Sequence, residues 1–281
     1  MIASRSFLFM CDHHINNPQS ESWKVPSTYP TKNGETIYIH PTALRNFVDN
    51  YLPLVKFNFI LLSGDSDTTV PHDVFNEARQ ILQHPLLIRW YSQNCTAEGK
   101  LFNLPIGLDF HTLERGPYFW GPKQTIESQV QDLQLIRNSG PKEKLIKCYS
   151  NFHFLVTTRY GQDRIQAIHK IDPKLVYYEP QRCTRNNSWN NMVKFKYVIS
   201  PHGNGLDCHR TWEALFLGCI PILKTSTLDP MFKGLPVLIV QDWSEVTQEL
   251  LNNFIPDYSE MRKLELSYWK TEFTITENVV S

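Results

Sequence analysis

The chain has 281 residues, and its 28 Lys plus Arg balance 28 Asp plus Glu, so the formal charge is zero with neutral histidines. That balance argues against nucleic acid or an anionic membrane as the main partner, and 41% apolar with 12% aromatic residues excludes a disordered chain. No apolar window approaches the length of about 18 residues that a membrane span requires, and the run at residues 6–11 is too short for the core of a signal peptide.

In chain order, residues 36–39 read as a strand that closes at His40 and Pro41, where proline suits the first turn of a helix carrying Leu44, Phe47, Val48 and Leu52. Residues 57–62 read as a second strand, leading into the polar loop Ser63, Gly64, Asp65, Ser66, Asp67. Residues 86–91 give a third strand and 102–107 a fourth, followed by Asp109 and His111. Residues 116–145 contain Gly, Pro and Lys around one amphipathic helix at 125–136, the pattern of an inter-domain connection. The domain boundary is therefore expected at 145/146, giving units 1–145 and 146–281.

The second series opens with a strand at 152–156 and an exit loop through Thr157, Thr158, Arg159, Tyr160 and Gly161. A helix with Ile165, Ile168 and Ile171 follows, then strands at 176–178, 197–199, 220–223 and 237–240. Short β-rich runs alternating with amphipathic stretches predict an α/β fold with parallel sheets and covering helices. In such folds ligands sit at the carboxyl ends of the strands. The six cysteines, at 11, 95, 148, 183, 208 and 219, are too widely spaced for a zinc ribbon or a disulfide framework. Reduced thiols and a cytoplasmic location are expected.

Residues 197–223 are the most informative stretch. A strand ends at Ser200, and Pro201, His202, Gly203, Asn204 and Gly205 form a turn in which two glycines permit close backbone approach to a ligand. Asp207 is the expected N-cap of a helix that runs through Trp212, Ala214 and Leu215 and stops at Gly218. Strand, glycine loop and helix N-terminus make an anion site from backbone N–H groups and the helix dipole. Arg210 adds a fork of charged donors suited to phosphate, and Glu213, one turn on, is placed to accept from a ribose diol. The nicotinamide fingerprint is absent: Cys208 stands where a third glycine belongs, and no acid follows about 20 residues on.

The spacing from Gly203 and Gly205 through Asp207, Arg210, Glu213, Ala214 and Leu215 to Gly218, Cys219, Ile220 and Pro221 resembles the nucleotide-sugar half of exostosin-like glycosyltransferases (glycosyltransferase family 47 type), as do Leu235-Pro236 and Asp242-Trp243. The close resemblance covers residues 197–243. A looser one, through Thr157-Thr158-Arg159, Gly64 to Asp67 and residues 105–112, reaches across most of the chain. With no anchor or stem, the chain is similar to compact soluble members of large viruses and bacteria, a xylosyltransferase among them. The resemblance implies a GT-B fold, with two Rossmann-like domains whose parallel sheets face each other across a cleft. It also implies a C-terminal helix (265–273) crossing back to the first domain. It further implies a UDP-sugar donor (UDP-xylose first), an oligosaccharide or glycoprotein glycan acceptor, inversion, and no required cofactor, a divalent metal not being expected. Arg210 would then hold the diphosphate and Glu213 the ribose, with His202, Gly203, Asn204, Gly205 and Asp207 around the donor. The departure is Asp207-Cys208-His209, where many members carry small hydroxyl residues.

Other groups have more than one reading. Arg159 leaves a strand at a βα turn, where a cation can clamp a departing diphosphate, with Arg164 as the weaker partner. The other reading of each is a surface ion pair, and the functional one is preferred for Arg159 but not for Arg164. Asp65 and Asp67 fit a metal-binding pair of a GT-A-type transferase, a non-catalytic Asx turn, or a general base on the acceptor hydroxyl. The base reading is preferred, because phosphate recognition is supplied in the other half. Asp109 with His111 reads as an alternative base pair or, equally, as a turn-capping Asp beside a surface His. His13, His14, His40 and His72 are placed near loops that could line the acceptor side, and Trp90-Tyr91 and Tyr118-Phe119-Trp120 suit either sugar stacking or core packing. Tyr177, Tyr178, Glu179 and Pro180 leave a strand where a uracil base fits. Were donor binding to occur without turnover, the chain would be a non-catalytic sugar-nucleotide module.

Overall fold

The computed structural model describes residues 1–274. The chain forms two compact units, one of Met1–Ile106 with the described residues from Arg262 onward, the other of Gly107–Met261. Each is built on its own parallel sheet. No helix among the described residues is long and apolar enough to cross a membrane.

The first unit carries β1 (Glu35–Ile39), β2 (Phe59–Ser63), β3 (Leu87–Ser92) and β4 (Leu101–Asn103), hydrogen-bonded in that order and all parallel. All five positions of β2 are buried, as expected for a strand covered on both faces. Its Leu61 lies between Ile37 of β1 and Trp90 of β3. Helix α1 (Phe75–Leu82) turns Ala78 and Ile81 into the same core. Trp90 is fully buried with its Nε1 donating to Ser63 Oγ at 2.8 Å, so packing accounts for it. His13 and His40 are hydrogen-bonded in place, His13 to Thr28 and Glu35, His40 to Thr42 and the Asp65 carbonyl. The fourth strand is shorter than the expected 102–107, since the chain beyond Asn103 leaves the ladder.

The second unit carries β5 (Leu145–Ser150), β6 (Val176–Tyr178), β7 (Phe195–Ile199), β8 (Ile220–Lys224) and β9 (Leu238–Val240), all parallel in the order β6-β5-β7-β8-β9. Its longer helices are α2 (Ile126–Ser139), α3 (Gly161–Lys170), α4 (Arg185–Met192), α5 (His209–Phe216) and α6 (Gln248–Asn253). The order reverses between β5 and β7, which creates a topological switch point at their carboxyl ends.

Three expectations are corrected here. The division falls at 106/107 rather than 145/146, because α2 docks within the second unit: Arg185 Nη1 donates to Gln129 Oε1 at 2.7 Å and Asn186 Nδ2 to Asp132 Oδ2 at 2.7 Å. The strand expected at 152–156 is a loop. The strand is β5, whose Cys148 and Tyr149 pair with Tyr197 and Val198 of β7. Its first three residues are exposed, so the stretch lacks the apolar run that marks a buried strand. Third, α5 starts one residue later than expected. Its N-cap is Cys208, with no side-chain cap, because the Asp207 carboxylate accepts the indole N–H of buried Trp212 at 2.9 and 3.0 Å. The end of α5 is as read: Gly218 at φ 68 donates to Leu215 O and Cys219 to Ala214 O, a Schellman stop. Removing the Asp207 carboxylate strands a buried donor, so Asp207→Ala is expected to lower stability by about 1–3 kcal/mol in urea unfolding.

The C-terminal helix α7 (Leu266–Glu272) belongs with the first unit, where the Phe7 ring meets Trp269 at 5.8 Å and Phe273 at 6.1 Å.

Candidate functional site

The loops leaving β5 and β7 interlock at the switch point. Tyr160 N donates to Gly203 O at 2.9 Å, and Arg159 N to Asn204 Oδ1 at 3.4 Å. Arg164, buried on α3, donates from Nε to His202 O at 3.0 Å and from Nη1 to Leu155 O. It is thus a strut between the two loops. A Cβ on Gly203 would lie 2.6 Å from Arg164 Nη2, so a larger residue there would have to displace this strut. Asp163 accepts from His202 N at 3.0 Å and from Trp243 Nε1 at 2.7 Å, tying the Asp242-Trp243 segment to the glycine turn. His202 itself is locked by a 2.8 Å contact from Nδ1 to Leu206 O. Of the expected donor-binding residues, Arg159, His202, Gly203 and Asn204 are brought together directly. Gly205 closes the turn by accepting from Gly203 N, and Asp207 supports α5 through Trp212.

Arg210 lies at the start of α5. Its Nε donates to Asn151 Oδ1 at 2.7 Å, and its guanidinium carbon sits 5.6 Å from the Phe152 ring centroid. Its Nη1 is buried without a hydrogen-bond partner among the described residues, as is Thr158 Oγ1 in the loop after β5. Burial pushes the Arg210 pKa down from its ordinary value; Arg164 pushes the same way, and Cys208 and Glu213 oppose. A desolvated guanidinium with an unmet donor is costly by itself and well suited to an anion.

Asn151 also begins a one-way chain of donors. Its Nδ2 donates to Ser188 Oγ at 2.9 Å, Ser188 Oγ lies 2.9 Å from Tyr149 Oη, and Tyr149 Oη donates to Glu179 Oε1 at 2.9 Å. The chain thus runs from the Arg210 cation to the Glu179 carboxylate, each bond polarising the next. Burial raises the Tyr149 pKa, so its hydroxyl keeps the proton. Glu179 opens onto a cavity of about 290 Å³ lined by Tyr177, Gln181, Asn187, Asn190 and Asn191, among others. The segment expected to meet a base therefore borders a polar cavity.

A second cluster in the same unit surrounds Asp109. Its Oδ2 accepts from Arg185 Nη2 at 3.0 Å, and its Oδ1 lies 3.1 Å from His111 Nδ1 and 3.1 Å from Thr112 N. Burial alone would raise its pKa, but His209, His111 and Arg185 outweigh that and hold it at about 2. A carboxyl that acidic stays ionised and is a poor proton acceptor at neutral pH. The expectation that Asp109 and His111 pair is met in the geometry, with Asp109 as the fixed partner.

Asp65 and Asp67 lie in the first unit. Both Asp65 oxygens are engaged: Ser4 Oγ donates to Oδ1 at 3.1 Å, and Arg5 reaches Oδ2 from Nε at 3.0 Å and Nη2 at 2.8 Å. Its backbone stands at φ 59, and Gln93 Oε1 accepts from its N–H. Asp65 therefore pins the N-terminal segment to the end of β2. Asp67 is exposed in the following loop. Among the described residues no group of three or more His, Cys, Asp and Glu is arranged to hold a metal ion, and all six cysteines are free thiols. Tyr118 and Phe119 are exposed at a turn closed by reciprocal bonds between Tyr118 and Gly121.

Residues that sequence reasoning missed are Asn151, Asp163, Arg185 and His209, with Arg164 given too small a part. The one available signal was the Asp207-Cys208-His209 departure. No protein-family model matches the chain, and no curated protein matches it.

Proposed function

We propose that the protein is a glycosyltransferase of the exostosin-like GT-B kind. It would move a sugar, xylose first, from a UDP-sugar to a hydroxyl of an oligosaccharide or glycoprotein glycan, with inversion at the anomeric carbon. The carrying observation is the buried, unpartnered Nη1 of Arg210 beside an uncapped helix at the switch point of the second unit. A diphosphate oxygen supplies the missing acceptor, and the helix dipole adds to the same charge. Thr158 Oγ1, also unpartnered, offers a further donor, and Arg159 a cation from the facing loop. These positive groups supply the stabilisation of the leaving diphosphate that a divalent cation supplies in GT-A-type enzymes, so no cofactor is needed in this reading.

Glu213, one turn along α5, accepts from the ribose hydroxyls. The polar cavity beside Glu179 takes the base, where the asparagines offer both donors and acceptors to a uracil edge. The enzyme reading, the UDP-sugar donor and the glycan acceptor stand together: a thermal-shift panel of UDP-, GDP- and CMP-sugars tests them, with UDP-sugars expected to raise the melting temperature most. UDP release from UDP-xylose with a glycan panel then distinguishes an enzyme from a binding module. A protein that no nucleoside diphosphate stabilises overturns the proposal. For the ribose contact, Glu213→Gln is expected to weaken UDP by about tenfold in calorimetry, the loss of one hydrogen bond to a charged group. Unchanged affinity removes Glu213 from the donor site.

A further inference from the structure

The first residue of α5, His209, has no part in the phosphate or ribose contacts, yet its ring is held in a defined state. His209 Nδ1 lies 2.8 Å from the Gly107 carbonyl oxygen. A carbonyl only accepts, so Nδ1 carries the hydrogen, and the neutral ring keeps its lone pair on Nε2. Two residues beyond Gly107 stands the buried Asp109 carboxylate, fixed by Arg185, His111 and Thr112 N. An ionised carboxylate in that position steadies an imidazolium without itself taking the proton. His209 is also the immediate neighbour of Arg210, the residue read as holding the diphosphate.

Resting on the nucleotide-sugar reading above, we propose that His209 is the general base that activates the acceptor hydroxyl. As the acceptor oxygen forms its bond to the anomeric carbon, its proton passes to His209 Nε2. The bond between the anomeric carbon and the diphosphate oxygen breaks, and its electron pair leaves with UDP, where Arg210 meets the charge. One donor and one hydroxyl give one glycoside, one UDP and one proton, which the imidazolium returns to solvent. The charged and titratable groups packed at the Gly107–Asp109 segment are Asp109, His111 and Arg185, and Cys208 and Arg210 flank His209 in the chain. This assigns to His209 the task that sequence reasoning gave to Asp67, Asp65 or Asp109.

The test uses His209→Asn, whose amide nitrogen takes the place of Nδ1 and keeps the bond to Gly107 O. In the full-length protein, with UDP-xylose and a panel of mono- and disaccharides, kcat for UDP release is expected to fall about 100-fold or more. UDP affinity by calorimetry is expected to stay within about twofold, and the acid limb of the kcat–pH profile is expected to disappear. Wild-type kcat with an unchanged pH profile overturns the base role. A parallel fall in kcat and UDP affinity also overturns it, making His209 a donor contact. A wild-type protein that neither binds UDP nor releases it from any donor overturns the underlying reading, which the calorimetry registers separately.

Discussion

Arg210→Met is expected to cut UDP-sugar turnover about 10²–10³-fold while the ligand-free melting temperature holds or rises. The two halves of that expectation come from one observation. Nη1 is a buried donor with no partner, and burial already disfavours the charge. An unmet buried donor costs about 1–3 kcal/mol, and methionine removes it while filling much of the same space against Phe152. The loss on the other side is the Nε bond to Asn151, of similar size, so the changes nearly cancel in the empty protein. They do not cancel with donor bound, because the diphosphate then has no guanidinium to meet it. Scanning calorimetry with and without UDP separates the effects: the UDP-induced rise should vanish in the variant. A large fall in the ligand-free melting temperature would make Arg210 a structural residue. Stability bought at the cost of activity is what a strained ligand site gives when its ligand-binding charge is removed.

Much of the second unit is visible in sequence because its local signals agree. The apolar runs around Val198 and Ile222 are β-rich and buried, and Gly218 stops α5 where a left-handed residue is needed. The alternation of such runs with amphipathic stretches was enough for two parallel sheets. What escaped depended on partners far along the chain. In β5, Leu145 is 56% and Ile146 46% exposed, and Lys147 follows, so the strand lacks the signature that Phe152 to Val156 displays without forming one. The start of α5 moved because Trp212, once buried, needed the acceptor that local rules give to the cap. Residues 116–145 have a linker's composition, but Gln129 and Asp132 find Arg185 and Asn186 only in the folded unit.

The candidate site divides in the same way. The sequence pattern singles out Arg210 in the first turn of α5, where its Nη1 is buried without a hydrogen-bond partner among the described residues, and Glu213 one turn on. That Arg164 is a strut rather than a second clamp follows from its bonds to His202 O and Leu155 O, which no spacing rule contains. The donor chain from Arg210 to Glu179 is likewise assembled from four segments of the chain.

Arg185→Ala is expected to be the most destabilising of these substitutions, by about 3–5 kcal/mol, since it leaves the buried Asp109 carboxylate without its guanidinium partner. The pH dependence gives a second reading. The Asp109 pKa drops from its ordinary 3.8 to about 2 in the folded protein, so the folded state favours the ionised form. That stability, about 2 kcal/mol, is present above the unfolded pKa and is lost as pH falls through the window between 3.8 and about 2. Arg185→Ala removes one of the charges holding the pKa down, so the variant should lose part of that acid-dependent stability and show a flatter urea midpoint between pH 4 and 2. In Arg185→Ala/Asp109→Asn the stranded charge is gone, and the double variant should be more stable than the sum of the two singles by about 0.5–3 kcal/mol. Additive losses would mean that Arg185 acts through Gln129 and the Trp120 and Trp189 rings rather than through Asp109. Transfer provides the independent check, because Asp109→Asn should slow turnover through the unsupported His209 imidazolium while leaving UDP affinity in place.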